Sequence, residues 1–198
     1  MRLFVAIELD EAAREALAAE QRRLKPLFGS ETATAVRWVS PRHVHLTLAF
    51  LGELAENGAA TVREAMGRPL RADRFEIAFG GLGVFPSRGA PRVLWLGLMR
   101  GAREVMALQK QVSERIMGLG IALEDRAFHP HLTLARCRSA RPADRRRLLE
   151  ADGAAEVARI GVEAVTLIES RLSSGGPDHT ALCRCPLGED ARPPLQSP

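Results

Sequence analysis

Two copies of one short segment constrain this chain more than any other feature. Residues 43–49 read His-Val-His-Leu-Thr-Leu-Ala, and residues 129–135 read His-Pro-His-Leu-Thr-Leu-Ala. Six of the seven positions agree, although the copies stand 86 residues apart. That separation is longer than a solenoid repeat, and two copies point to a duplicated lobe. On a strand, side chains two residues apart share a face. His45 and Thr47 therefore share a face with Leu46 and Leu48 behind them, and His131 and Thr133 do the same over Leu132 and Leu134. If a pseudo-twofold axis relates the lobes, two imidazole–hydroxyl fronts converge on one small anionic group.

The segments around the copies fill in two such lobes. Residues 2 to 9 read as an apolar strand, with Asp10 as the N-cap of a helix over 11 to 28. Strands are expected at 36–40, 44–51, 75–84 and 93–98, with a helix over 56–67. The second half gives a helix over 102–119, a strand over 131–137 and a helix after Pro142. Strands at 157–171 and 179–185 follow, with a turn at 175–177 between them. The polar, Pro-rich residues 188–198 read as a flexible tail, leaving residues 1–187 as a single bilobal domain. Runs of strands with single intervening helices fit an α+β architecture: antiparallel sheets facing a central cleft, with helices packed outside.

Two histidines facing one phosphodiester make a complete acid–base pair. A neutral imidazole takes a proton from the attacking water or hydroxyl while an imidazolium protonates the leaving oxygen. The ordinary imidazole pKa near 6.5 populates both forms at neutral pH. The Thr47 and Thr133 hydroxyls can donate to the non-bridging oxygens, where negative charge accumulates. One His-x-Thr alone describes many half-buried strand histidines; its duplication is what carries the chemistry.

Composition adds exclusions more than identity. The chain of 198 residues is 46% hydrophobic and 26% charged, the balance of an ordinary globular protein. No stretch approaches the roughly 20 apolar residues of a membrane span, and the N-terminus lacks the pattern of a secretory signal, so a cytoplasmic monomer is expected. A net charge of +4, nearly all from Arg, suits a polyanionic partner. Cys137, Cys183 and Cys185 form no second pair for a zinc site and read as free buried thiols.

Further segments carry a family resemblance: Arg2-Leu-Phe-Val-Ala-Ile7, Trp38-Val-Ser-Pro-Arg-His-Val-His-Leu-Thr-Leu48, Phe50-Leu-Gly-Glu53 and Gly81-Leu-Gly-Val-Phe-Pro86. Pro91-Arg-Val-Leu-Trp-Leu-Gly97, Phe128-His-Pro-His-Leu-Thr-Leu-Ala-Arg136 and Glu169-Ser170-x-Leu172, followed by Gly176-Pro177, complete the set. With these the chain, from about residue 2 to 187, resembles the two-histidine (2H) phosphoesterase superfamily, specifically its RNA 2′,3′-cyclic phosphodiesterase branch, also called 2′-5′ RNA ligase. The resemblance implies a bilobal fold, no metal or other cofactor, and hydrolysis of terminal 2′,3′-cyclic phosphate to a 2′-phosphate. It also implies ATP-independent 2′-5′ joining of RNA ends, with RNAs such as tRNA fragments as partners. Carried over residue by residue, His45 is the acid for the departing 3′ oxygen and His131 the base for water. Arg136 contacts the phosphate or steadies the site. One departure is visible: where relatives often carry a Tyr after Gly-Pro, this chain has His179 and no Tyr at all.

Two other readings stay open on the residues alone. His43 with His45, and His129 with His131, could present four imidazoles to a metal, although neither segment has a nearby carboxylate. The site could also be a non-catalytic module that grips RNA ends, but aromatics are only 5% of the chain, which leaves few stacking platforms. Arg145-Arg146-Arg147 reads as a solvated helix face that could touch RNA.

Overall fold

Leu3 to Ile7 is an unbroken apolar run, and a strand of that kind needs cover on both faces. In the computed structural model it becomes the inner strand of a sheet. The structure describes residues 1–28, 35–124, 126–153, 155–173 and 176–188. In chain order the described elements are β1 (Arg2–Glu8), α1 (Glu11–Leu24), β2 (Val36–Trp38), β3 (His45–Glu53), α2 (Glu56–Met66), β4 (Phe75–Phe85), β5 (Val93–Arg100), α3 (Ala102–Met117), β6 (Leu132–Cys137), α4 (Pro142–Glu150), β7 (Glu156–Val162), β8 (Ala164–Ser173) and β9 (Gly176–Pro186). Short 3-10 turns occupy Lys25–Leu27 and Pro41–His43.

The architecture is α+β, with two antiparallel sheets. One has the order β3-β1-β8-β9 and the other β2-β6-β5-β4-β7. The motif strands β3 and β6 hold matching positions, each beside the strand that precedes a long helix, β1 or β5. The halves nevertheless trade strands. β2, from the N-terminal half, extends the second sheet by pairing with β6, and the C-terminal hairpin β8–β9 completes the first by pairing with β1. The helices cross over as well: α1 packs against β7, and α3 against β3. One core cluster therefore runs through both lobes, from Leu17 and Leu24 through Leu46 and Leu108 to Phe79 and Leu132.

The expected strand over 157–171 is two strands in different sheets. β7 pairs with β4, the exposed Glu163 breaks the run, and β8 pairs with β1. The alternating pattern of β7 suits a half-covered outer strand, whereas the buried run Val165 to Ile168 suits an inner one. The first helix ends at Leu24 rather than 28, because Pro26 favours a tight 3-10 turn. Asp10 caps it as expected, accepting from the Ala13 amide at 2.8 Å. The last strand begins at Gly176, while residues 174–175 of the expected turn and 189–198 of the tail lie outside the described residues. Cys137, Cys183 and Cys185 are free thiols. Among the described residues no helix is long and apolar enough to cross a membrane.

One buried side chain ties the scaffold to both motifs. Gln21 on α1 is 4% exposed, and its amide donates to the Val39 carbonyl at 2.8 Å and the Leu134 carbonyl at 3.1 Å. Val39 leads into the first motif and Leu134 lies within the second; the Val39 amide also donates to Leu134 at 2.9 Å. Gln21→Leu leaves the part-buried Val39 carbonyl without that donor and takes one from the buried Leu134 carbonyl, at an expected cost of about 1–3 kcal/mol of unfolding free energy. Chemical denaturation checks this: an unchanged midpoint would mean that water or backbone replaces the amide.

Candidate active site

Leu46 and Leu132 are fully buried behind the two motif strands, which leaves the His45–Thr47 and His131–Thr133 pairs on the opposite face, partly exposed. The same local bond orients both imidazoles. Nδ1 of His45 lies 2.8 Å from the His43 carbonyl, and Nδ1 of His131 lies 2.6 Å from the His129 carbonyl. A carbonyl only accepts, so each Nδ1 carries the hydrogen and each Nε2 is left for substrate, as acceptor when neutral and donor when charged. The established contribution of His43 and His129 is thus a backbone carbonyl.

Strict alternation would put the fifth residue after each histidine on the back of its strand. A β-bulge changes that. Along β1–β3 the register passes from Ala6–Thr47 to Val5–Ala49, and along β5–β6 from Trp95–Thr133 to Leu94–Ala135, skipping Leu48 and Leu134. Leu48 with Ala49, and Leu134 with Ala135, all face the core, so Phe50 and Arg136 return to the front. Phe50 is 53% exposed there, and its ring is 6.1 Å from that of Phe4. Phe50 lies in a segment that carries the family resemblance, but a two-residue period hides its return to this face. The available signal was the sixth-residue extension of the repeat, His-Leu-Thr-Leu-Ala-Phe against His-Leu-Thr-Leu-Ala-Arg.

Aromatic rings wall both histidines. Phe4 stacks on His45 with centroids 4.6 Å apart, and it forms with Ala6 and Ile168 a small apolar floor separate from the main core. Phe85 meets His131 edge-on at 5.3 Å, and Trp95 meets His129 at 4.9 Å. Trp95 can lie across the sheet because Gly83 has no Cβ; one there would collide with the indole. His179, on β9, sits 5.2 Å from the rings of His43, His45 and Phe4 alike. It thus joins the first motif's site, although it arrives from the far end of the chain.

These surroundings depress the imidazole pKa values. Burial, then the neighbouring His179, pushes His45 down to about 4, against the upward pull of its His43 carbonyl bond. Burial also lowers His131, with His129 and Arg136 adding to it and the His129 carbonyl opposing. His179 is lowered by burial and by His43, while Asp178 pulls the other way. The Arg136 charge also lowers both His45 and His131, as the smallest contribution to each.

A metal centre built from these histidines would need at least three converging donors. Among the described residues no group of three or more His, Cys, Asp or Glu side chains is placed to hold one ion. The α4 arginines divide: Arg146 and Arg147 pair with Glu150 and Asp144 at 3.8 Å and 3.7 Å, while Arg145 donates to the Pro86 carbonyl at 3.2 Å, next to the Phe85 that flanks His131.

The family model of the 2′-5′ RNA ligase superfamily matches residues 9–173, which include both motifs and Arg136. The chain belongs to the 2′-5′ RNA ligase superfamily. The RNA 2′,3′-cyclic phosphodiesterase of Aeropyrum pernix is 35% identical over 154 residues, 77% of this chain and 87% of that one. The enzyme of the same name from Methanothermobacter thermautotrophicus is 32% identical over 184 residues, 91% and 95% of the two chains. Among solved structures, apo E. coli LigT superposes with a TM-score of 0.72 at 27% identity, covering 94% of this chain and 96% of that one. E. coli LigT complexed with 3′-AMP gives 0.72 at 28% identity, with coverages of 94% and 97%.

Proposed function

We propose that this superfamily member is an RNA 2′,3′-cyclic phosphodiesterase: a hydrolase that opens a terminal cyclic phosphate to a 2′-phosphate by acid–base catalysis between His45 and His131, without a metal or other cofactor. The observation that carries the reading is the matched pair of Nδ1–carbonyl bonds, which leaves two Nε2 atoms for one phosphate beside Arg136. The names of the curated relatives and the LigT complex with 3′-AMP point the same way.

In the free site burial keeps both imidazoles neutral near pH 7. An anionic cyclic phosphate between them favours the imidazolium form, so the acid is charged as substrate binds. Water adds to phosphorus while its proton passes to His131 Nε2. The bond from phosphorus to O3′ breaks, and O3′ takes the proton from His45 Nε2. Thr47, Thr133 and Arg136 carry the negative charge on the non-bridging oxygens. The exposed ring of Phe50 offers the terminal nucleobase a face to stack on, and a face of that kind tolerates any base. A ribose 5′-hydroxyl in place of the water forms a 2′-5′ linkage instead. The strained ring provides the driving force, so ATP is not needed. RNA ends, tRNA fragments among them, are the substrate class, and the work suits a monomer in the cytoplasm.

The test is an RNA ending in a 2′,3′-cyclic phosphate, incubated in excess EDTA. Hydrolysis is expected to persist, with little base preference, and the product's terminal phosphate to resist a 3′-specific phosphatase. A 3′-phosphate product would reverse the acid and base roles, whereas activity lost to chelation and restored by zinc would replace the mechanism with a metal one.

A further inference from the structure

Arg37 lies on β2, the edge strand that the N-terminal half lends to the second sheet. Its neighbours Val36 and Trp38 pack against the core, so the exposed Arg37 side chain points to the other face. Directly across the antiparallel ladder from Arg37 is Arg136. Residues opposite one another in such a pair present their side chains on the same face a few ångströms apart, and like charges placed there repel. Neither guanidinium has a carboxylate partner among the described residues, although Arg23, Arg159 and Arg171 each close on one within 3.0 Å. Repulsion at the mouth of a catalytic site is relieved by an anion shared between the two forks.

The bulge between Thr133 and Ala135 turns Arg136 to the face that carries His131 and Thr133, where the proposed reaction takes place. Arg37 stands one strand farther out, on the edge of the sheet. A chain that ends in a cyclic phosphate has nothing beyond its 3′ end, so the next phosphate along it is the one on the 5′ carbon of the terminal nucleotide. We propose that Arg37, set across from Arg136, forms a subsite for this 5′ phosphate, so that the enzyme grips a polynucleotide end by two consecutive phosphates. The proposal rests on the cyclic-phosphodiesterase reading above and adds a preference that this reading does not require.

The test compares adenosine 2′,3′-cyclic phosphate with the same compound carrying a 5′ phosphate. Wild-type protein is expected to favour the 5′-phosphorylated substrate in kcat/KM. Arg37→Gln should erase about ten- to hundredfold of that preference, which is the worth of a hydrogen bond to a charged group, and the loss should appear in KM. Arg37→Lys should recover part of it, because it keeps the charge but not the fork. Arg37 is exposed at a sheet edge, so the melting temperature of Arg37→Gln should match wild type. A wild-type ratio near one, or an Arg37→Gln that lowers kcat equally on both substrates, would overturn the subsite. Failure of wild-type protein to hydrolyse either compound would instead overturn the phosphodiesterase reading itself.

Discussion

His45→Ala and His131→Ala are each expected to lose about 10²–10⁴-fold in kcat, the usual worth of a general acid or base. The double variant should lose little more than the worse single one, because each histidine acts only when the other is present to move the second proton. Folding should survive, since the buried Leu46 and Leu132 behind the histidines hold the strands in place. Thr47→Ala and Thr133→Ala remove one neutral donor each and should cost less. His43→Ala and His129→Ala should be mild, because the bonds to Nδ1 come from backbone carbonyls that alanine retains. Steady-state rates on a cyclic-phosphate RNA decide the matter. A His43→Ala as damaging as His45→Ala would mean that its ring, not its carbonyl, takes part in the reaction.

Acidification should cost the folded protein stability through the same residue. Burial holds His45 at about 4 in the native state, well under the 6.5 of an unfolded histidine. As pH falls below 6.5 the unfolded chain takes up this proton first, so unfolding becomes easier until the native imidazole titrates near 4; above 6.5 the group contributes no slope. The gap corresponds to about 3 kcal/mol. His45→Asn keeps a donor for the His43 carbonyl and cannot titrate, so it should flatten this part of the curve while abolishing catalysis. Urea unfolding of both proteins at pH 7 and pH 4.5 tests this: equal losses in the two would assign the acid sensitivity elsewhere.

The repeated heptapeptide made the two matching His-x-Thr strands and the fold class legible, because strand alternation is local and the identity between copies is high. Phe50 stayed hidden for an equally local reason: a two-residue period puts it on the back of β3, and only the bulge at Leu48 turns it forward. The exchange of strands between sheets was not legible. Nothing in Val36–Trp38 names β6 as its partner, and the break at Glu163 lies within what reads as one strand. His179 stood out by replacing a common Tyr, yet its three ring neighbours follow from β9 folding back on β8, where it pairs with Ser170. The bed for Trp95 was likewise written in Gly83 and became readable only when β4 and β5 were seen side by side.

Because β8 and β9 complete the sheet that begins with β1, a ribosome must reach Pro186 before the candidate site can form. Until Ala164–Ser173 emerges, β1 can pair only with β3, and its other edge and the face bearing Phe4 and Ala6 are left bare. An unbroken apolar strand with an open edge invites association with other chains. A prematurely terminated product would thus be a sticky fragment that holds both His-x-Thr segments without the sheet that orients the first of them. The same linkage binds two distant segments together in evolution: a change in β1 is tested against β8, more than 150 residues downstream.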